Sequence, residues 1–183
     1  METQSSERMI TYTASLELSV ADTEETRSIL LEQIKNNNGF VVRETNNFII
    51  TRIPSENMDT FLQHARTLGE VENETRTGTD ITDQYQDNVM RLENFQNVRD
   101  RYLALLDHAI TVSDILAIER ELERINLQIE TLKGKIRHAE LSVAYSNITI
   151  RFRIKEEQDK VRLGPVSWIF YGLYHGVKLL FVW

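Results

Sequence analysis

The residue types able to do chemistry are thinly spread along this chain of 183 residues. Its four histidines, His64, His108, His138 and His175, stand far apart. No two of them share the i,i+4 spacing by which a helix offers two imidazoles to one metal. Cysteine is absent, which removes disulfides, thiolate metal sites and thiol nucleophiles together. No glycine loop able to cradle a phosphate, no G-x-S-x-G elbow and no HExxH occurs. Asp80, Asp83 and Asp87 form an acidic run. At a helix start such a run complements the positive end of the dipole and asks for no metal. Asn73-Glu-Thr75 and Asn147-Ile-Thr149 fit the glycosylation pattern but fall on expected strands. The residues therefore point to no catalytic site, no metal, no cofactor and no small-molecule substrate. With 28 acidic against 21 basic residues, and a formal charge of -7, nothing draws the chain generally toward nucleic acid.

What remains legible is shape. Seven Gly and two Pro leave few tight turns, which suits long elements. Met1 to Ile10 is polar until Met9, without the basic start and apolar core of a secretory signal. From Ile10 the chain alternates, with Ile10, Tyr12, Ala14, Leu16, Leu18 and Val20 on one side, as in a half-buried strand. Asp22-Thr-Glu-Glu25 caps a helix whose stripe is Ile29, Leu30 and Ile34, and Asn36-Asn-Asn-Gly39 ends it. Phe40 to Glu44 and Phe48 to Ile53 read as a hairpin about Thr45-Asn-Asn47. Pro54-Ser55 opens a second helix with Met58, Phe61, Leu62, Ala65 and Leu68 on one face. Gly69 stops it, and Val71 to Thr79 is a polar edge strand. The order β-α-β-β-α-β predicts an α+β, ferredoxin-like split βαβ plan, one helix layer covering an antiparallel sheet.

Residues 82–140 differ in kind. Ile115, Ile118, Leu122, Ile125, Ile129, Leu132, Ile136 and Ala139 recur alternately three and four apart, the pattern of a coiled-coil seam. Gly134 falls on the position farthest from that seam. The preceding helix supplies Tyr85, Val89, Leu92, Leu103, Leu106 and Ile110, with Gln96 and Arg99 interrupting its middle. There Arg99 can snorkel while Phe95 and Tyr102 fill the gap, or the polar pair can fix register or meet a partner. Thr111-Val-Ser-Asp114 is a capping-box variant between the helices. So short a connection predicts a long antiparallel coiled-coil hairpin, an arm of roughly 40 Å inserted into the sheet domain.

Leu141, Val143 and Tyr145 then alternate, and Ile148, Ile150, Phe152 and Ile154 alternate on the opposite parity. That change predicts a bulge near Ser146-Asn147 in a strand rejoining the sheet. The expected division is a sheet domain at 9–81 and 141–154, the arm at 82–140, a charged linker at 155–164, and an apolar helix at 165–183. Val166 to Trp183 carries one formal charge, Lys178, and spans roughly 27 Å if helical. A hydrocarbon core is about 30 Å thick, so the segment can span it with little to spare. Its apolar face holds Ile169, Phe170, Leu173, Val177, Leu180 and Phe181, with Trp168 and Trp183 suited to the bilayer interface. A helix lying in the interface fits the same residues. Gly172 and Gly176 give the small-xxx-small spacing of packed helices. Either way the expected partner is a membrane, beside a protein partner or a second copy. Arg151, Arg153, Lys155, Lys160 and Arg162 precede the tail and would hold the globular part on the cytoplasmic side.

Several segments, taken in order, resemble a bacterial envelope family, domain-of-unknown-function family 4349. They are Arg52-Ile-Pro-Ser-Glu-Asn-Met-Asp-Thr-Phe61, Leu68-Gly-Glu-Val71 and Thr82-Asp-Gln-Tyr-Gln-Asp87. Thr111-Val-Ser-Asp-Ile-Leu-Ala-Ile-Glu-Arg-Glu-Leu122 and Val143-Ala-Tyr-Ser-Asn-Ile-Thr-Ile150 are the closest. Members of that family look like envelope proteins, often with a lipoprotein or signal start, which this sequence does not show, and a transmembrane helix near the C-terminus. The resemblance implies a domain outside the cytoplasm. It supplies no catalytic motif. The expectation is a non-enzymatic, membrane-anchored interaction module, with a signal-sensing or regulatory module as the alternative.

Overall fold

A computed structural model describes residues 8–155. In chain order it contains β1 (Ile10–Val20), α1 (Thr23–Asn36), β2 (Phe40–Glu44) and β3 (Phe48–Pro54). A 3-10 turn (Ser55–Asn57) leads into α2 (Met58–Arg66) and β4 (Glu70–Asp80). Two long helices follow, α3 (Thr82–Leu106) and α4 (Val112–Ala144), and then β5 (Tyr145–Ile154). The described chain is thus α+β, a five-stranded mixed sheet with four α-helices.

Local chemistry sets the ends of these elements. Asp22 Oδ1 accepts the backbone N–H groups of Glu24 at 2.8 Å and Glu25 at 3.2 Å, which caps α1. The same helix stops where Asn38 takes a positive φ of 56°, and the Gly39 N–H reaches back to the Ile34 carbonyl at 2.8 Å. Gly39 must lack a side chain, because a Cβ there would lie 2.8 Å from the Arg52 carbonyl oxygen. Thr111 caps α4 by accepting from the Asp114 N–H at 3.1 Å, while its hydroxyl donates to Asp114 Oδ2 at 2.6 Å.

The sheet order is β2-β3-β5-β1-β4. All neighbours run antiparallel except β1 and β5, which are parallel from Thr13↔Asn147 to Val20↔Ile154. The expected purely antiparallel sheet is therefore corrected to a mixed one. The cause is geometric: the chain leaves β4 at Asp80, opposite Ile10, and the helix pair brings it back near that same end. A strand that starts where β1 starts must run with β1. It also takes a central place, which its alternating apolar residues suit, while the polar β4 stays at the edge.

One face of the sheet carries Ala14, Leu16, Leu18, Val20, Ile49, Ile53, Ile148, Ile150 and Phe152, all buried. Against it pack Leu30 and Ile34 of α1 and Phe61, Leu62 and Ala65 of α2. The opposite face is polar. There Arg151 pairs with Glu17 at 3.2 Å and Lys155 with Glu70 at 3.0 Å. Between the helix layer and the β4 edge, Arg66 grips Glu74 with both ends of its guanidinium, at 2.8 and 2.7 Å.

Helix α4 runs to Ala144, so the strand expected to begin at Leu141 is corrected to helix. Val143 lies four residues beyond Ala139 and continues the three-four spacing, and this outweighed the short alternation of Leu141, Val143 and Tyr145. The change of parity marks the passage from helix to strand at Tyr145. β5 itself pairs without interruption from Asn147 to Ile154, and the expected bulge is absent from it. The register shifts lie elsewhere, at Glu17/Leu18 in β1 and between Val41 and Arg43 in β2.

A candidate functional site at the root of the helix pair

The seam residues of α4 share its covered side. Leu122, Ile125, Ile129 and Leu132 are buried, and Ile115, Ile118, Ile136 and Ala139 are half-buried. On α3 the covered stripe differs from the expected one. Tyr85, Leu92 and Leu106 lie on it as anticipated, but Val89, Leu103 and Ile110 are exposed. Asn88, Phe95 and Tyr102 join the covered stripe, half-buried, and with Arg99, which was expected on the seam, complete a three-four spacing from Tyr85 to Leu106. The difference arises because polar Asn88 occupies the covered stripe while its neighbour Val89 is apolar and exposed. Phe95 and Tyr102 flank Arg99 on the covered side, and the Arg99 guanidinium turns to exposed Asp100 at 2.9 Å. That is the snorkelling arrangement.

The two helices are fastened to the sheet at one end. Ile81 donates its backbone N–H to Met9 at 2.8 Å, and the Met9 N–H donates to Thr82 Oγ1 at 2.9 Å. Asp80 Oδ1 accepts from the Thr82 hydroxyl and N–H, and these bonds hold its carboxyl below the usual carboxylate range. At the returning end, Ser55 Oγ donates to the Val143 carbonyl at 2.7 Å, and buried Ser146 donates to Ser55 Oγ at 3.1 Å. Tyr85 Oη donates to Glu140 at 3.0 Å, which raises the Tyr85 pKa and joins the first turns of α3 to the last turns of α4. The pair is therefore antiparallel, with its turn at the far end.

Where this root overhangs the open face of the sheet there is a cleft of about 830 Å³. Strand register assembles its floor. Arg52 sits opposite Asn147, and Asn147 opposite Thr13, so β3, β5 and β1 present one row on the face away from the core. Tyr145 adjoins this row and meets the ring of Phe40 edge-on at a centroid distance of 5.7 Å. The helices supply the other wall, with Tyr85 and Asn88 from α3 and Gly134, Lys135 and His138 from α4.

Gly134 is far from the α3 seam, as its spacing requires, and is exposed where it lines the cleft. A Cβ built there would meet nothing within 4 Å. A helix-interior glycine costs roughly 0.5–1 kcal/mol against alanine, and no clash in the fold demands it. Arg52, Lys135 and Gly134 were not singled out as site residues from the chain alone. The strand alternation places Arg52 on the open face, but only the central position of β5 brings that face under α4. His138 stands at the wall with its Nδ1 3.5 Å from Ser142 Oγ. Of the others, His64 belongs to α2, and the His108 ring lies 2.8 Å from the Ala104 carbonyl near the end of α3. Among the described residues no group of three or more His, Asp or Glu side chains is placed to hold a metal.

The expected membrane-contact residues Trp168, Ile169, Phe170, Leu173, Val177, Leu180, Phe181 and Trp183 lie outside the described residues. Among the described residues no helix is long and apolar enough to cross a membrane.

A mixed α+β sheet with a helix pair leading from β4 to β5, and a cleft at that junction, defines the class of structure. The chain belongs to the family described as Domain of unknown function (DUF4349), whose model matches residues 8–182. No curated protein and no solved structure matches it.

Proposed function

We propose that the protein is a non-enzymatic interaction module of the cell envelope, anchored to a membrane by residues 165–183, with the helix pair serving as a coiled-coil arm. The observation that carries this reading is the apolar surface around the turn of the pair. Ile110 is 93 % exposed and Val112 72 %, with Leu105 and Leu116 exposed nearby. Large apolar side chains gathered at a protruding turn are costly in water and favour contact with a protein partner or a second copy. The alternating seam on both helices supports knobs-into-holes packing between them. The sheet supports an elaborated ferredoxin-like plan, since removing β5 from its order leaves β2-β3-β1-β4.

A photo-crosslinking residue at Ile110, in native membranes, tests the role of the arm. Adducts to a protein at this position, and none when the same residue replaces exposed Glu32 on α1, are the expected result. A turn that crosslinks to no protein ends the proposal. Attachment and sidedness follow from carbonate extraction and from protease digestion of intact cells against inverted vesicles. The expected outcome is a carbonate-resistant protein whose globular part is cut from the extracytoplasmic side. The alternative, a signal-sensing or regulatory module, draws support from the cleft at the arm's root, where a bound signal would touch sheet and helices together.

A further inference from the structure

We propose that the cleft is a binding site for a small, hydroxylated ligand bearing an oxyanion, a carboxylate or a phosphate, and that Arg52 and Lys135 hold its charge. The inference stands apart from the role of the arm and needs no partner at its turn. Charge distribution carries it. Toward the far end of the open face Arg151 has Glu17, Arg153 has Glu72 at 3.7 Å, and Lys155 has Glu70, while Arg43 on β2 has no ion pair among the described residues. At the cleft the pattern reverses. Arg52, half-buried, and Lys135 line it without an ion pair among the described residues, and His138 stands beside them. Among the described residues no aspartate or glutamate lines it. The carboxylate that approaches its wall, Glu140, accepts the Tyr85 hydroxyl. In a chain with 28 acids and 21 bases, a cleft whose formally charged lining residues among the described residues are Arg52 and Lys135 runs against composition.

Arg52 is a half-buried arginine with no counter-ion among the described residues, and its guanidinium offers the planar fork that matches a carboxylate or phosphate. In the same cleft Thr13, Asn147 and Asn88 provide hydroxyl and amide groups suited to a polyhydroxylated body, and Tyr145 provides a ring. Gly134 fits the same account. Its missing side chain leaves room beside Lys135 where alanine would have made a better helix. The cleft volume of about 830 Å³ lies within the range of small-molecule sites.

The test uses the full chain in an uncharged detergent, with inorganic phosphate and glucuronate as probes and glucose as the uncharged control. Binding is followed by the Arg52 Nε–H resonance and by calorimetry. The expected result is that at least one anion moves the Arg52 signal saturably while glucose does not. Arg52→Gln should weaken that binding about tenfold, the loss expected for a charge-assisted hydrogen bond. Gly134→Phe, which fills the space beside Lys135, should weaken it as well. Arg43→Gln on β2, a cation that does not line the cleft, should leave it unchanged. The tighter of the two probes identifies the charged group as phosphate or carboxylate. Anion shifts at Arg52 no larger than those at Arg43 would overturn the site. Equal affinity in the Arg52→Gln protein would do the same. The resonance measurement on the unaltered chain decides the matter even where a variant fails to fold.

Discussion

The sheet with its two covering helices and the long helix pair are built from similar apolar residues but held in different ways. Leu16 and Leu18 of β1, Ile49 of β3 and Phe61 of α2 are fully enclosed by neighbours from several strands and helices. In the pair, α3 has no buried residue, and α4 buries four along a single line. A side chain in the sheet core is held from all sides by elements distant in sequence. A side chain in the seam is held by one facing helix and the turns on either side of it. The sheet should therefore unfold as one unit, while the distal part of the pair opens locally at lower cost.

The largest effect expected is in the sheet. Phe61→Ala removes a ring wholly enclosed between α2 and the strands and should cost about 3–5 kcal/mol. Chemical denaturation should show one early transition in which strand and helix signals fall together. Ile125→Ala should cost about 2–4 kcal/mol, since Ile125 is fully buried although only a seam encloses it. Its consequence should be local. Hydrogen exchange should quicken in 112–130 and in the facing part of α3, while amides of β1 and β5 keep their protection. Equal loss of protection in β1 would show that sheet and arm form one cooperative body, and the contrast drawn above would fail.

The same contrast explains what the chain disclosed. Every strand and α-helix among the described residues came from local pattern, because alternation, caps and the three-four repeat are written within each element. Asp22, Thr111 and the Asn36–Gly39 stop needed no tertiary knowledge. The misreadings all concern placement across elements. Leu141 and Val143 fit strand and helix alike over so short a run, and only the continuing contact with α3 decides for helix. The α3 stripe was displaced because polar Asn88 sits on it beside apolar Val89. The cleft was the least visible of all. Its floor depends on β5 entering between β3 and β1, and its wall on which side of α4 then faces that row. No motif in Arg52, Gly134 and Lys135 announces a site that register alone assembles.

A smaller effect sharpens the description of the sheet side. Hydrogen bonds from Arg66, and then from Arg76, hold the Glu74 carboxyl below its ordinary value. A carboxylate favoured in this way stabilises the folded chain at pH above its unfolded value of about 4.3. That contribution fades as pH falls through the lowered folded value. The pair is partly exposed, so solvent screening limits its worth to about 1 kcal/mol. Glu74→Gln should reduce stability by that amount near neutral pH, and the difference from the unaltered chain should vanish in acid. A difference that persists unchanged in acid would assign the loss to packing at the β4 edge and not to charge. Exchange in the helix pair should not register the substitution.

The smallest effect has the opposite sign and falls on the arm. Gly134→Ala adds a methyl group that meets nothing within 4 Å, and it lowers the freedom the helix must give up on folding. It should stabilise α4 by about 0.5–1 kcal/mol. If local opening extends from the distal turns to this part of α4, the gain should appear as slower exchange around residues 130–138 and scarcely shift the main unfolding transition. If the main transition rose by the full amount, the root of α4 would belong to the sheet's cooperative unit, and only the distal turns would open alone. If stability fell, the helix would have to close over the cleft more tightly than the open space at Gly134 allows.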